Sequence, residues 1–174
     1  MTAEQYTSSQ IPITEELARV VADDGWVCWQ VGNWVRKGEV LPLDYVAIPL
    51  FTRSGFQLRR RFIWRFGSGL HCRYRFSGRH ETILCFSKSK HSTEHLIPEA
   101  EPEIWEIPNV KANHPEKTEH PCSFPVELAE RLVLSYSEIG DTVLDPYMGV
   151  GSSLIAAARH GRIPLGCDLK PAVC

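Results

Sequence analysis

The stretch Thr142 to Leu169, TVLDPYMGVGSSLIAAARHGRIPLGCDL, constrains this chain more than any other. Thr142 to Asp145 reads as a strand that delivers Asp145 at its carboxyl end. Gly149 and Gly151 follow, where the backbone can turn tightly and come close to a ligand. Ser152 to Arg159 reads as a helix stopped near Gly161. Its first-turn N–H groups and positive dipole end suit a carboxylate or a phosphate. Pro164 to Asp168 is the next strand, and Asp168 stands 23 residues after Asp145. That spacing fits an acid accepting hydrogen bonds from ribose hydroxyls. A glycine turn of this kind also serves as a plain strand-to-helix connection in any α/β protein, or as part of a dinucleotide site. The full GxGxxG pattern, however, needs a glycine at 154, where Leu154 stands.

The rest of the chain carries more strands and helices. Ile13, Leu17, Val20 and Val21 recur at helical spacing, and Gly25 is a helix stop, whereas Met1 to Gln10 is polar and weakly patterned. Trp26 to Val31 reads as a buried strand closed by a turn at Gly32-Asn33. Leu43 to Phe51 suggests a helix that Pro49 would kink. From Phe56 to Arg65 the pattern alternates, with Phe56, Leu58, Phe62 and Trp64 on one face and Gln57, Arg59, Arg61 and Arg65 on the other. Thr82 to Phe86 is a further buried strand, and His91 to His120 reads as loop. Pro125 starts a helix whose apolar stripe is Val126, Ala129, Leu132, Val133 and Tyr136. Strands alternating with helices predict an α/β fold with a mainly parallel sheet.

Charge is unevenly placed. Phe51 to Lys90 holds ten Lys or Arg against Glu81, a balance of +9 over 40 residues, while His91 to Asp141 holds eleven acids against three bases. Such asymmetry points to a face built for an anionic partner. The interleaving of Arg73, Arg75 and Arg79 with Tyr74 and Phe76 favours contact with a nucleic acid backbone. The bland alternative makes Arg59, Arg61 and Arg65 the solvated face of an edge strand.

The six cysteines form no CxxC pair and there is no signal peptide, so a reduced, cytoplasmic protein is the default. The longest apolar stretch, Leu41 to Phe51, is too short to span a bilayer. His91, Glu94 and His95 spell the inverted zinc-protease motif HxxEH, but their surroundings are polar and end in proline, which reads as solvated loop. His71, Cys72 and His80 lack metal-ligand spacing. No metal is expected.

DPYMGVGSSLIAA closely resembles the cofactor loop of the bacterial DNA methyltransferases that methylate exocyclic amino groups, N6 of adenine or N4 of cytosine. HPEKTEHPCSFPVELAERLV is similar to the segment that precedes this loop in permuted members of that family. WQVGNWV, FIWRFG and RFSGRHETILCFSKS are similar to the strands that follow their catalytic loop. The resemblance covers nearly the whole chain in the family's order. It implies a partial Rossmann-like, S-adenosylmethionine-dependent methyltransferase fold in permuted order, with S-adenosylmethionine as cofactor and double-stranded DNA as partner. By position, Asp145, Pro146, Gly149 and Gly151 would form the cofactor loop, and Ser152 and Ser153 would meet the methionine carboxylate. Asp168 would hold the ribose, and Phe124 would line the pocket. Phe124 and Tyr147 are equally read as core packing, and His120 as a loop cap.

The family's reaction needs a [DNS]PP[YFW] tetrapeptide, which orients the flipped base's amine toward the sulfonium methyl. No such tetrapeptide occurs here, so no catalytic residue is assigned. The expectation is a single incomplete methyltransferase domain over residues 1–174. Residues 1–90 would hold the post-catalytic strands and a basic DNA-facing region. Residues 91–113 form a short acidic loop in place of a target-recognition insert, and 114–174 the cofactor-binding half. Such a chain would be a truncated or split enzyme, or one with a misassigned start, inactive alone and completed by a companion carrying the DPPY segment. The alternative is a non-catalytic domain that binds the cofactor or nucleic acid.

Overall fold

A computed structural model describes residues 2–67, 76–97, 102–111, 114–117 and 123–169. The chain divides into two compact units, one of residues 1–65, 69–93 and 103–105, the other of residues 66–68, 94–102 and 106–174. The first contains α1 (Ala3–Val20), β1 (Trp26–Val31), β2 (Asn33–Arg36), β3 (Glu39–Pro42), α2 (Leu43–Arg53), β4 (Gln57–Arg65), β5 (His80–Ser87) and β6 (Ile104–Glu106). The second contains α3 (Val126–Tyr136), β7 (Thr142–Asp145), α4 (Ser152–Arg159) and β8 (Ile163–Gly166). Among the described residues no helix is long and apolar enough to cross a membrane.

In the first unit, four strands form a sheet in the order β1-β5-β4-β6. One face packs on α1 and α2 through Leu17, Ala47, Phe51, Phe56, Leu84 and Phe86. The polar start of the chain is helical after all. Thr2 accepts a bond from the Gln5 N–H at 3.2 Å, and the Gln5 carboxamide accepts one from the Thr2 N–H at 2.8 Å. This reciprocal cap satisfies two donors that would otherwise be orphaned, and the helix runs on through Pro12. Pro49 likewise sits inside α2 without ending it, because Ala47, Leu50 and Phe51 bury the flanking turns.

The simple alternation read along Phe56 to Arg65 is broken by a β-bulge. The register passes from Leu58 opposite Phe86 to Arg60 opposite Cys85 and Phe62 opposite Ile83. Phe86 and Ile83 lie on opposite faces of β5, so Leu58 and Phe62 do as well. Phe62 and Trp64 are buried there, and Phe62 stacks on the fully buried Trp105 at 4.3 Å between ring centroids. Trp105 belongs to β6, a strand inside the stretch that reads as loop. β4 is therefore an interior strand and not an edge, and Arg61 on it is tied to Asp44 at 2.7 Å.

The α/β class stands, with strands of mixed direction in place of the mainly parallel expectation. β1·β5, β4·β5 and β2·β3 pair antiparallel, and β7·β8 pair parallel. A parallel pair needs a crossover, most often a helix, and α4 supplies one between β7 and β8.

In the second unit, α3 and α4 pack on one face of the β7·β8 pair through Val126, Ala129, Val133, Ala156 and Val143. α3 begins after Pro125 with no side-chain cap from that residue. The Glu116 carboxylate, ten positions earlier, accepts the Val126 N–H at 2.9 Å. It thereby puts a negative charge at the positive end of the helix. Arg162 is buried and donates to the Ser137 hydroxyl, the Ser137 carbonyl and the His160 carbonyl, so its guanidinium is satisfied mainly by backbone.

Candidate cofactor site

β7 carries Asp145 to its end, and the Asp145 carboxylate organises the turn that follows. One oxygen accepts the Tyr147 N–H at 2.9 Å and the other accepts the Ser153 hydroxyl. Backbone bonds tie the same loop to the chain after β8. The Cys167 N–H donates to the Asp145 carbonyl at 3.0 Å, and the Met148 N–H to the Cys167 carbonyl at 3.1 Å. The loop is thus held from both sides before any ligand is considered.

Two glycines make the turn possible. Gly149 has φ 49° and Gly151, the N-cap of α4, has φ 81°. Both lie in the left-handed region, which costs a residue with a Cβ roughly 1–2 kcal/mol. The Gly149 N–H donates to the Asp168 carboxylate at 3.0 Å, so Asp145 holds both ends of the glycine loop and Asp168 its middle. α4 has no side-chain cap at its N-terminus, where the first-turn N–H groups of a helix have no intrahelical partner.

Ser123, Phe124, Tyr147, Met148, Gly149, Val150 and Ser152 line a shallow, open depression. The nine residues named from the sequence, Phe124, Asp145, Pro146, Tyr147, Gly149, Gly151, Ser152, Ser153 and Asp168, fall in or against this loop. Their bonds refine the roles read for them. The Ser152 hydroxyl donates to the Phe124 carbonyl at 2.9 Å and the Ser153 hydroxyl to Asp145. Both hydroxyl protons are engaged inside the chain. Phe124 is held against α4 by that Ser152 bond, while Tyr147 is half exposed beside it.

Gly166 packs against the glycine loop, which the sequence does not reveal. A Cβ there would meet the Met148 sulfur and Leu154 Cδ1 at 2.7 Å, and Met148 Cβ at 3.0 Å. The missing side chain is what lets Met148, part of the loop, lie over the end of β8. A single glycine at the end of a strand leaves no pattern that would reveal this, because the contact is with a residue 18 positions earlier.

The other candidates fare differently. Arg73, Arg75 and His120 lie outside the described residues, as do His71 and Cys72. Arg79 is exposed just ahead of β5. The HxxEH segment is not helical, so it does not put His91 and His95 on one face. Its Glu94 accepts the Tyr136 hydroxyl at 2.8 Å, and His95 lies 2.7 Å from Glu138. Among the described residues no group of three or more His, Cys, Asp or Glu could hold a metal ion.

Comparison with known proteins follows the same lines. The type II methyltransferase M.BglII of Bacillus subtilis is 33% identical over 195 residues, covering 96% of this chain and 54% of that protein. M.MthZI of Methanothermobacter thermautotrophicus is 30% identical over 190 residues, covering 90% and 54%. The chain spans about half the length of these curated relatives. TTHA0409 of Thermus thermophilus, solved complexed with S-adenosyl-L-methionine, superposes with a TM-score of 0.75 at 30% identity, over 97% of this chain and 73% of that one. The PvuII DNA methyltransferase (cytosine-N4-specific) shares the fold, with a TM-score of 0.86 at 21% identity, over 97% of this chain and 68% of that one. A family model for N6/N4 DNA methyltransferases, described as DNA methylase, matches residues 1–174, and with the glycine loop in place this shows that the chain belongs to that DNA methylase family.

Proposed function

We propose that the chain binds S-adenosylmethionine at the Gly149–Gly151 loop and forms the cofactor-holding part of a DNA amino-methyltransferase acting on N6 of adenine or N4 of cytosine. The observation that carries this reading is the pair of acids, Asp145 and Asp168, holding one glycine loop at the uncapped start of α4. The residues fit the cofactor. The α4 N–H groups suit its carboxylate, the exposed Asp168 carboxylate its ribose hydroxyls, and Phe124 gives the depression an apolar wall. When bound, the cofactor supplies an electrophilic methyl group on a sulfonium. This chain's own residues bind and orient it, and Gly149 and Gly151 let the backbone come close.

Calorimetry with S-adenosylhomocysteine tests the assignment. Asp168→Ala is expected to weaken binding by about 1–3 kcal/mol, the cost of leaving hydroxyls unpaired. Asp168→Asn, which keeps the shape and one acceptor, should lose less. Equal affinity for Asp168→Ala, or tighter binding of NAD by the unaltered chain, would remove the basis for the assignment.

Duplex DNA is the proposed partner of the basic stretch between Phe51 and Lys90, with Arg73, Arg75 and Arg79 on phosphates. Binding should fall steeply with salt, because displaced counterions drive it. Replacing the three arginines with Ala should flatten the slope of log affinity against log salt by roughly 0.9 per phosphate lost. An unchanged slope would leave them as a solvated face. Because the 174 residues contain no [DNS]PP[YFW] tetrapeptide, a companion segment carrying one is part of this proposal. The same observation favours the second reading, a non-catalytic domain that binds cofactor or nucleic acid.

A further inference from the structure

We infer that the tip of the β2–β3 hairpin, Arg36-Lys37, is a second contact for the phosphate backbone of duplex DNA. The inference rests on the DNA reading above, but its evidence is separate from the arginines of the basic stretch.

The hairpin is anchored at its base and exposed at its tip. Asn33 pairs with Pro42 and Arg36 with Glu39. The Leu43 N–H closes the base on the Gly32 carbonyl at 3.3 Å. One residue further on, Asp44 is fixed to Arg61 of β4 at 2.7 Å. Trp34, Val35 and Leu41 are half-buried, whereas Arg36, Lys37, Gly38 and Glu39 are all exposed. The two strands pair with each other and with no other described strand.

The tip also carries a residue that its backbone does not favour. Both central residues of the turn have positive φ, Lys37 at 50° and Gly38 at 86°. Tight hairpins of this twist favour Asn or Gly at the first of these positions. Among the described residues Lys37 is the single non-glycine residue with positive φ. Strain kept at one exposed position points to a use for the side chain held there. Its charge and that of Arg36 are uncommitted. Arg19, Arg61, Arg131 and Arg159 pair with Glu16, Asp44, Glu127 and Glu130, but among the described residues neither Arg36 nor Lys37 has an ion pair or a side-chain hydrogen bond. Two adjacent, unpaired cations on a projecting two-stranded ribbon suit a duplex, whose major groove is about 12 Å wide and admits such a ribbon between its phosphates.

The test is fluorescence anisotropy of the whole chain with a labelled duplex of about 20 base pairs across a salt series. Arg36→Ala with Lys37→Asn should reduce the slope of log affinity against log salt by roughly two, one phosphate for each cation. Affinity for S-adenosylhomocysteine should not change. Lys37→Asn alone should reduce the slope by about one. It should leave the melting temperature equal or higher, since asparagine tolerates the left-handed region. Lys37→Arg should keep the slope of the unaltered chain. An unchanged slope for the double variant, in a chain that does bind DNA, overturns the hairpin contact. A sharp fall in melting temperature for Lys37→Asn would show that the lysine serves the fold. Absence of salt-dependent binding by the unaltered chain would instead overturn the DNA reading itself, and this contact with it.

Discussion

Assayed by transfer of a tritiated methyl group to duplex DNA, the 174-residue chain alone should give no product. An exocyclic amine holds its lone pair in conjugation with the base. The [DNS]PP[YFW] tetrapeptide of the family accepts hydrogen bonds from that amine and aims the lone pair at the sulfonium methyl, and no stretch of this sequence can do so. In the second unit one face of the parallel pair is uncovered. α3 and α4 cover the face of β7·β8 that holds Val143. The opposite face leaves Leu144, Ile163 and Leu165 exposed at 38%, 57% and 54%. Parallel strands are normally covered on both faces, and a two-stranded sheet is marginal by itself. The companion segment carrying DPPY proposed above should restore transfer and should raise the melting temperature, because it binds only the folded form. Robust transfer by the 174 residues alone would refute this and place the chemistry among the residues assigned to the cofactor.

Phe51→Ala should be the most damaging single substitution in the first unit. Phe51 is 1% exposed and stacks on Phe86 at 4.5 Å, with Trp29 and Phe56 edge-on at 5.2 and 5.8 Å. It links α2 to β1 and β5, so truncation opens a cavity that three rings from different elements cannot close together. Removing a buried phenyl ring costs about 3–5 kcal/mol. For a chain of this size that corresponds to a fall of roughly 6–20 °C in melting temperature, followed by circular dichroism. Phe51→Leu, which keeps most of the volume, should fall by much less. A loss of only one or two degrees for Phe51→Ala would mean that the ring is not packed as described.

Individual elements were legible wherever their signal is local. Trp26–Val31, Thr142–Asp145 and Ser152–Arg159 take the bounds read from the sequence, because apolar runs, an acid at a strand end and glycines at a turn act over a few residues. The glycine turn between β7 and α4 was legible for the same reason. The capping box at Thr2 was in reach but masked by a polar helix start and by Pro12. The hairpin at Lys37-Gly38 was overlooked because its turn lacks the usual asparagine.

What the amino-acid order determined by itself is therefore the family, through the likeness of its motifs, and the strand–glycine loop–helix unit, set by short-range backbone preference and side-chain chemistry. Tertiary structure alone decided pairing and placement. The bulge that puts Leu58 and Phe62 on opposite faces depends on how β4 meets β5. β6 exists because Trp105 finds Phe62, and Gly166 matters because Met148 lies above it. Glu116 caps α3 from ten residues away, and the Ser152 and Ser153 hydroxyls turn inward to Phe124 and Asp145. Each is a contact between separated segments, and its energy depends on a geometry that exists only once both segments are in place.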